Sequence, residues 1–159
     1  MHEFATLTPQ YATETAMAGT LLISALLGAA LGLERSVAGK HAGMRTYALV
    51  SLGSCLFVLL GALASLELSF FPGINPLGIA SSIVIGIGFI GSGLAVFRGE
   101  HPVELTTATG IWLAAGVGMA CGFGFYSLAA VSTILGLVIF TLFLKIENLI
   151  RHRWGKSAE

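Results

Sequence analysis

The chain has 159 residues, 55% of them hydrophobic and only 10% charged, and its eight basic and eight acidic side chains cancel to a formal net charge of zero. That leaves too little polar surface to cover a soluble globule, whereas a lipid environment removes the requirement. The zero is a sum over two sides of a membrane and says nothing about partners, and nucleic-acid binding finds no support.

The polar start, residues 1–16, carries Glu3 and Glu14 and no basic residue. That is the reverse of a secretory signal, so it is expected to be retained as a short outer tail. Five apolar stretches follow: Met17 to Leu33, Tyr47 to Leu66, Leu77 to Phe97, Thr107 to Cys121 and Tyr126 to Leu144. Most approach the ~20 residues that a bilayer-spanning helix needs. Arg35, Lys40 and Arg45 lie in the first gap, Arg98 in the third, and Lys145, Arg151, Arg153 and Lys156 in the tail, while the other gaps hold no Lys or Arg. Because basic loops stay cytoplasmic, the pattern predicts five crossings with the N-terminus outside and the C-terminus inside. The expected fold is an all-α, single-domain membrane bundle over residues 1–159.

The fourth stretch is short, since about 15 residues at 1.5 Å each reach only ~22 Å. A re-entrant hairpin there would deliver the basic tail to the outer face, against the orientation rule. Extending the helix from Thr106 through Gly122 makes it a crossing, with Gly122, Phe123 and Gly124 in a tight outer turn. Beyond Lys145, Ile146, Leu149, Ile150 and Trp154 recur at helical spacing, which predicts a short amphipathic helix along the inner surface. Cys55 falls near the middle of the second stretch and Cys121 at the outer end of the fourth, so unequal depth argues against a disulfide.

Glycine is abundant, 21 residues of 159. Small residues let membrane helices approach closely. Gly28 and Gly32 form one GxxxG and Gly118 and Gly122 another, each suited either to a homodimer contact or to packing within the protomer. Gly86, Gly88, Gly91 and Gly93 narrow the third helix on two sides, which predicts a central position for it. Gly86, Gly88 and Gly91 also spell G-x-G-x-x-G, but inside an apolar run the dinucleotide motif lacks its strand and turn, so packing is the reading.

Catalytic and metal-binding constellations are missing. His2, His41, His101 and His152 fall in loops or tails without a His or Cys partner at ligand spacing, and the chain has no Asp. A buried nucleophile such as Ser92 has no intramembrane His to activate it. No catalytic residue, cofactor or metal site is expected. Glu34, Glu100 and Glu104 are possible divalent-cation ligands, but the three nearby arginines argue against that site, and no acid lies at mid-membrane depth to mark an ion pathway.

What remains is a cluster on the inner face: Glu34 and Arg35 ending the first stretch, Arg45 and Thr46 beginning the second, Arg98 ending the third, and Thr106 and Thr107 beginning the fourth. Two helix starts, capped by threonines, and two arginines, Arg45 and Arg98, suit an anion such as a phosphate or lipid head group, with Glu34 holding Arg35 or Arg45 in place. The competing reading is that the arginines are interfacial anchors.

Three runs, GAALGLERSVAGKHAGMRTYALVSLG at Gly28 to Gly53, IGIGFIGSG at Ile85 to Gly93 and LTTATGIWLAAGVGMACGFG at Leu105 to Gly124, closely resemble the MgtC/SapB family of bacterial inner-membrane proteins. Glu34-Arg35, the stretch Ala42 to Thr46, the third-span glycines and Leu105 to Ala108 followed by Trp112 occur in the family's order. Glu104 departs from it, standing where the family usually has Gly. The resemblance covers about Met17 to Leu144. It implies a plasma-membrane protein of magnesium homeostasis and growth at low magnesium; some members act on the F-type ATP synthase, which makes that complex a possible partner. Many members continue into a soluble cytoplasmic domain, whose functions do not carry over to a chain ending at Glu159. The expectation is a non-enzymatic regulator of a membrane partner; the alternative is a small transporter or channel for Mg2+ or an anionic solute.

Overall fold

The computed structural model describes residues 14–67, 75–96 and 105–154. Arg98, Glu100, His101 and Glu104 lie outside them, as do His2 and the outer tail. Helix α1 spans Glu14–Val37, α2 Met44–Glu67, α3 Pro76–Val96, α4 Leu105–Gly122 and α5 Tyr126–Val138. A π-helical turn at Ile139–Phe143 then leads into α6, Leu144–Trp154. The described residues are otherwise turns, with no strand among them. Each apolar stretch read from the sequence falls on one of these five helical rods.

Four rods are long and apolar enough to cross a membrane: Glu14–Val37, Met44–Ser65, Leu105–Gly122 and Tyr126–Ile150. The fourth stretch is one continuous helix, as its extension to Gly122 requires. Helix α3 has 21 residues with a shorter apolar run, Leu77–Gly93. Its path is end to end: Gly61, late in α2, meets the Ile79 side chain near the start of α3, and a Cβ on Gly91 would stand 3.7 Å from Ala108 Cβ near the start of α4. An element that begins at one end of the bundle and finishes at the other traverses its full height. The dinucleotide-like glycines sit inside this unbroken helix.

Both described turns close through left-handed glycines. Gly39 has φ 68° and Gly124 φ 81°. After α1, Lys40 N–H reaches Arg35 O at 2.9 Å and Gly39 N–H reaches Ser36 O at 3.1 Å; after α4, Phe125 N–H reaches Ala120 O at 2.8 Å and Gly124 N–H reaches Cys121 O at 2.9 Å. These are paired Schellman bonds, which satisfy helix-end carbonyls and need a residue without Cβ strain at the position that turns the chain. The α4–α5 turn therefore centres on Phe123 to Phe125.

Helices α1, α2, α4 and α5 form the core, and the two GxxxG faces build it from within the protomer. A Cβ on Gly28 would lie 2.6 Å from Tyr47 O, one on Gly32 2.6 Å from Met44 Cα, and one on Gly122 2.7 Å from Val58 Cβ, while one on Gly118 would run into the backbone of Ser51. Both α1 and α4 thus clamp α2 with backbones nearly touching, the arrangement that small residues permit in lipid. Of the two uses expected for these faces, packing within the protomer is the one observed.

The central position expected for α3 is not observed. It lies outside the four-helix core, and a Cβ added to Gly86, Gly88 or Gly93 would meet nothing within 4 Å. Between α2 and α3 an apolar groove of about 1040 Å3 is lined by Val50, Phe57, Ile79, Ile83 and Ile87 among others. Glycine makes a helix narrow, but narrowness does not say which neighbour uses it.

Two further expectations change. Cys55 and Cys121 are both fully buried and free, yet they stand at one level, since a Cβ on Gly122 would be 3.0 Å from Cys55 O. Parallel α2 and α4 are staggered, so depth counted from span ends misplaces them. The segment after Lys145 is helical as predicted, but Ile139 and Leu144 both keep right-handed helical dihedrals, so no turn separates α6 from α5. The rod continues instead of restarting along a surface.

Candidate functional site

Polar side chains tie the core together in three layers. At the end where α1 begins, the Thr20 and Tyr126 hydroxyls are 2.6 Å apart. At mid-height Ser51 Oγ donates to Ser24 O at 2.9 Å, which leaves the Ser24 hydroxyl to donate to Ser51 Oγ, also at 2.9 Å. Each short hydroxyl satisfies another or a carbonyl, so these groups fasten helices without burying charge. The third layer, where α1 ends and α2 and α4 begin, contains the charge.

Arg35 is 3% exposed, although it occupies the last turn of α1 just beyond the apolar stretch. Its Nε donates to Glu34 Oε2 in an ion pair, and its guanidinium carbon lies 4.1 Å from the centroid of the Phe140 ring. Removing a guanidinium from water is costly unless it is paired. Three features offset that cost: the Glu34 carboxylate, the ring face of Phe140 and the negative end of the α1 dipole.

Phe140 belongs to the π-helical turn, where Thr141 Oγ1 bonds back to Leu137 O at 2.8 Å. Such a turn inserts an extra residue into the helical repeat and is a frequent mark of functional positions. Gly110 of α4 makes room: a Cβ there would be 2.8 Å from Phe140 Cζ and would strike the Tyr47 hydroxyl. Tyr47 is fully buried and donates to Thr107 O at 3.2 Å, and Thr107 itself is 1% exposed. Arg35, Phe140, Tyr47 and Thr107 thus bring α1, the π-helical turn that continues α5, α2 and α4 to one node.

The residues singled out from the sequence are distributed unevenly about this node. Glu34 holds Arg35, one of the two partners expected for it, and Thr107 is part of the layer. Arg45 and Thr106 are exposed, Thr46 is half-buried, and Arg98 lies outside the described residues. The threonines do not cap helices as expected: Thr46 follows Met44, and Thr106 and Thr107 follow Leu105, so all three lie inside first turns. For α2 the first N–H is held by Ser36 Oγ at 2.8 Å. Tyr47, Gly110 and Phe140 were missed, because an aromatic or a glycine within an apolar run looks the same whether it faces lipid or a buried cation. Among the described residues no group of three or more His, Cys or Glu is placed to hold a metal ion.

A helical rod repeated five times, bound by glycine contacts and hydroxyl pairs, with the buried charge of the described residues at one end, defines a multi-pass membrane protein. The sequence comparisons assign it further: the chain belongs to the MgtC family, whose sequence profile matches residues 21–149. It is 36% identical to the putative magnesium transporter YhiD of Escherichia coli K12 over 125 residues, 77% of this chain and 58% of YhiD. It is 36% identical to protein SrpB of Synechococcus elongatus over 147 residues, 86% of this chain and 80% of SrpB. To protein MgtC of Salmonella typhimurium it is 39% identical over 115 residues, 72% of this chain and 47% of MgtC. The chain therefore spans little more than half of YhiD and about half of MgtC. No solved structure matches it.

Proposed function

We propose that this protein is a non-enzymatic regulator in magnesium homeostasis that acts on a membrane partner; the family membership and the name of the YhiD relative support the magnesium link, while that name itself speaks for the competing transport reading. The observation that carries the reading is the closed middle of the bundle. Ser51 is gripped between Gly28 of α1 and Gly118 of α4, and its hydroxyl is spent on Ser24. A hydrated cation such as Mg2+ needs oxygen ligands along its way, and tight glycine contacts at mid-height favour a structural core over a conduit. The polar node at one end, joining four helices, suits the reception of a signal.

In this reading the chain resides in the bacterial inner membrane with the Arg35 end facing the cytoplasm, as the basic residues support. A homodimer and a complex such as the F-type ATP synthase are the proposed partners. Transport is the competing reading, and purified protein in liposomes loaded with a magnesium-sensitive dye tests it. The regulatory reading expects no influx above empty liposomes, together with restored growth at limiting magnesium in a host lacking its own family member. Magnesium influx by the chain alone would overturn it.

A further inference from the structure

We propose that the Arg35 guanidinium binds a phosphate-type oxyanion, supplied by a lipid head group or by free phosphate, at the bundle end where α1 finishes and α2 and α4 begin. The proposal rests on the regulatory reading only for its physiological use; binding is a separate property. It starts from burial. An interfacial anchor buries its aliphatic stem and keeps its charged head in the aqueous or head-group zone. Arg45, which is exposed, fits that description, whereas Arg35 at 3% exposure does not.

The second step is the unused hydrogen-bonding capacity. Arginine has five N–H donors in a planar fork. Among the described residues Arg35 donates only through Nε, to Glu34, so the two terminal nitrogens have no hydrogen-bond partner. No buried nitrogen or oxygen of a described side chain lacks a partner, so both terminal nitrogens must reach the thin accessible strip that Arg35 retains. With Phe140 covering one face of the plane and Glu34 occupying Nε, the donors left over are those at the fork end of the guanidinium. Two parallel N–H groups presented end-on match two oxygens of one phosphate.

The third step is the surroundings. Donors without acceptors are costly at membrane depth, and Arg35 lies two residues past Leu33, where the apolar stretch ends and head groups begin. The start of α4, with Thr107 in its first turn, directs a positive dipole end to the same level. Lys40, His41 and Arg45 stand on the same end and outweigh Glu34 in charge. All of this favours an anion, and a phosphate is the one that a membrane supplies at that depth.

The test is a 31P NMR titration of the full chain, purified in a phosphate-free maltoside detergent, with inorganic phosphate in one arm and monomeric short-chain phosphatidylglycerol in the other. Saturable line broadening is expected in at least one arm, and the arm that saturates identifies the source. Glu34→Gln keeps an acceptor for Nε and removes a like charge, so it should tighten binding by about threefold or more. Arg35→Lys keeps the charge and loses the fork, and should weaken binding by about tenfold. No saturation with wild type in either arm overturns the proposal, as does unchanged binding in Arg35→Lys with helix content intact. If Arg35→Lys does not fold, Glu34→Gln decides, and unchanged or weaker binding there overturns it. Growth at limiting magnesium is scored separately, so a chain that binds phosphate without restoring growth removes the regulatory reading and leaves the site.

Discussion

The Tyr47 hydroxyl donates to Thr107 O across 3.2 Å, joining the first turn of α2 to the first turn of α4. Both residues are buried, and Tyr47 also packs beside Gly28, Gly32 and Gly110. The hydroxyl and the ring therefore contribute separately. Tyr47→Phe should cost about 1 kcal/mol, the usual worth of one hydrogen bond. Tyr47→Ala, which empties a contact shared by three helices, should cost about 3–5 kcal/mol. Thermal unfolding in detergent, followed by circular dichroism, should show a small fall in Tm for the first and a several-fold larger one for the second.

The glycines divide into two sets with opposite expectations. At Gly118 any side chain meets the Ser51 backbone, which cannot rotate away, so Gly118→Ala should destabilise by about 1–3 kcal/mol. Gly118→Leu should prevent folded protein from accumulating. At Gly88 nothing lies within 4 Å, and Gly88→Ala should be neutral or stabilising by up to about 1 kcal/mol. The same contrast separates fold from assembly. A homodimer formed on a small-residue face has the α3 glycines open to it, so Gly88→Leu should lower the detergent-solubilised mass with helix content intact. Gly28→Leu should lose the fold instead.

The number of helices, the α4–α5 turn and the glycine faces of α1 and α4 were legible because each is a local property: apolar length, a Gly-flanked turn and GxxxG spacing. What the sequence withheld were properties of neighbours. Gly86, Gly88, Gly91 and Gly93 mark a narrow helix, but whether it is central depends on which helices close around it. Arg35 and Arg45 flank one loop with the same chemistry, and only the rotation of α1 decides that Arg35 turns inward. Phe140 gives no signal in the sequence, since its role comes from a π-helical turn and from Gly110 one helix away. The pairing of Glu34 with an arginine is legible because adjacent opposite charges at a helix end have few other partners.

Topology can be measured with the two native cysteines as an internal control. Cys55 and Cys121 are fully buried, so wild type should react with no impermeant thiol reagent until it is unfolded. Cysteines introduced at Ser69 and Ser157 then report the two sides. Labelling in intact spheroplasts is expected at position 69 alone, with position 157 labelled after lysis. Labelling of 157 in intact cells would reverse the orientation or remove one crossing.

The sharpest functional comparison is between Arg35 and Arg45, which have the same charge, lie near the same membrane surface and differ in burial. Lysine keeps the charge and the anchoring of an exposed arginine, so Arg45→Lys should behave like wild type if it serves as an anchor. At Arg35 lysine loses the planar fork, the Nε bond to Glu34 and much of the stacking on Phe140. Phe140→Leu removes only the ring face, worth about 0.5–2 kcal/mol depending on desolvation, and leaves the ion pair. The expected order in complementation at limiting magnesium, at matched membrane levels, is Arg45→Lys equal to wild type, Phe140→Leu intermediate and Arg35→Lys weakest. Equal growth of all three at wild-type levels would reduce the node to a structural fastening; failure of Arg45→Lys alone would move the functional arginine to the exposed side of the loop.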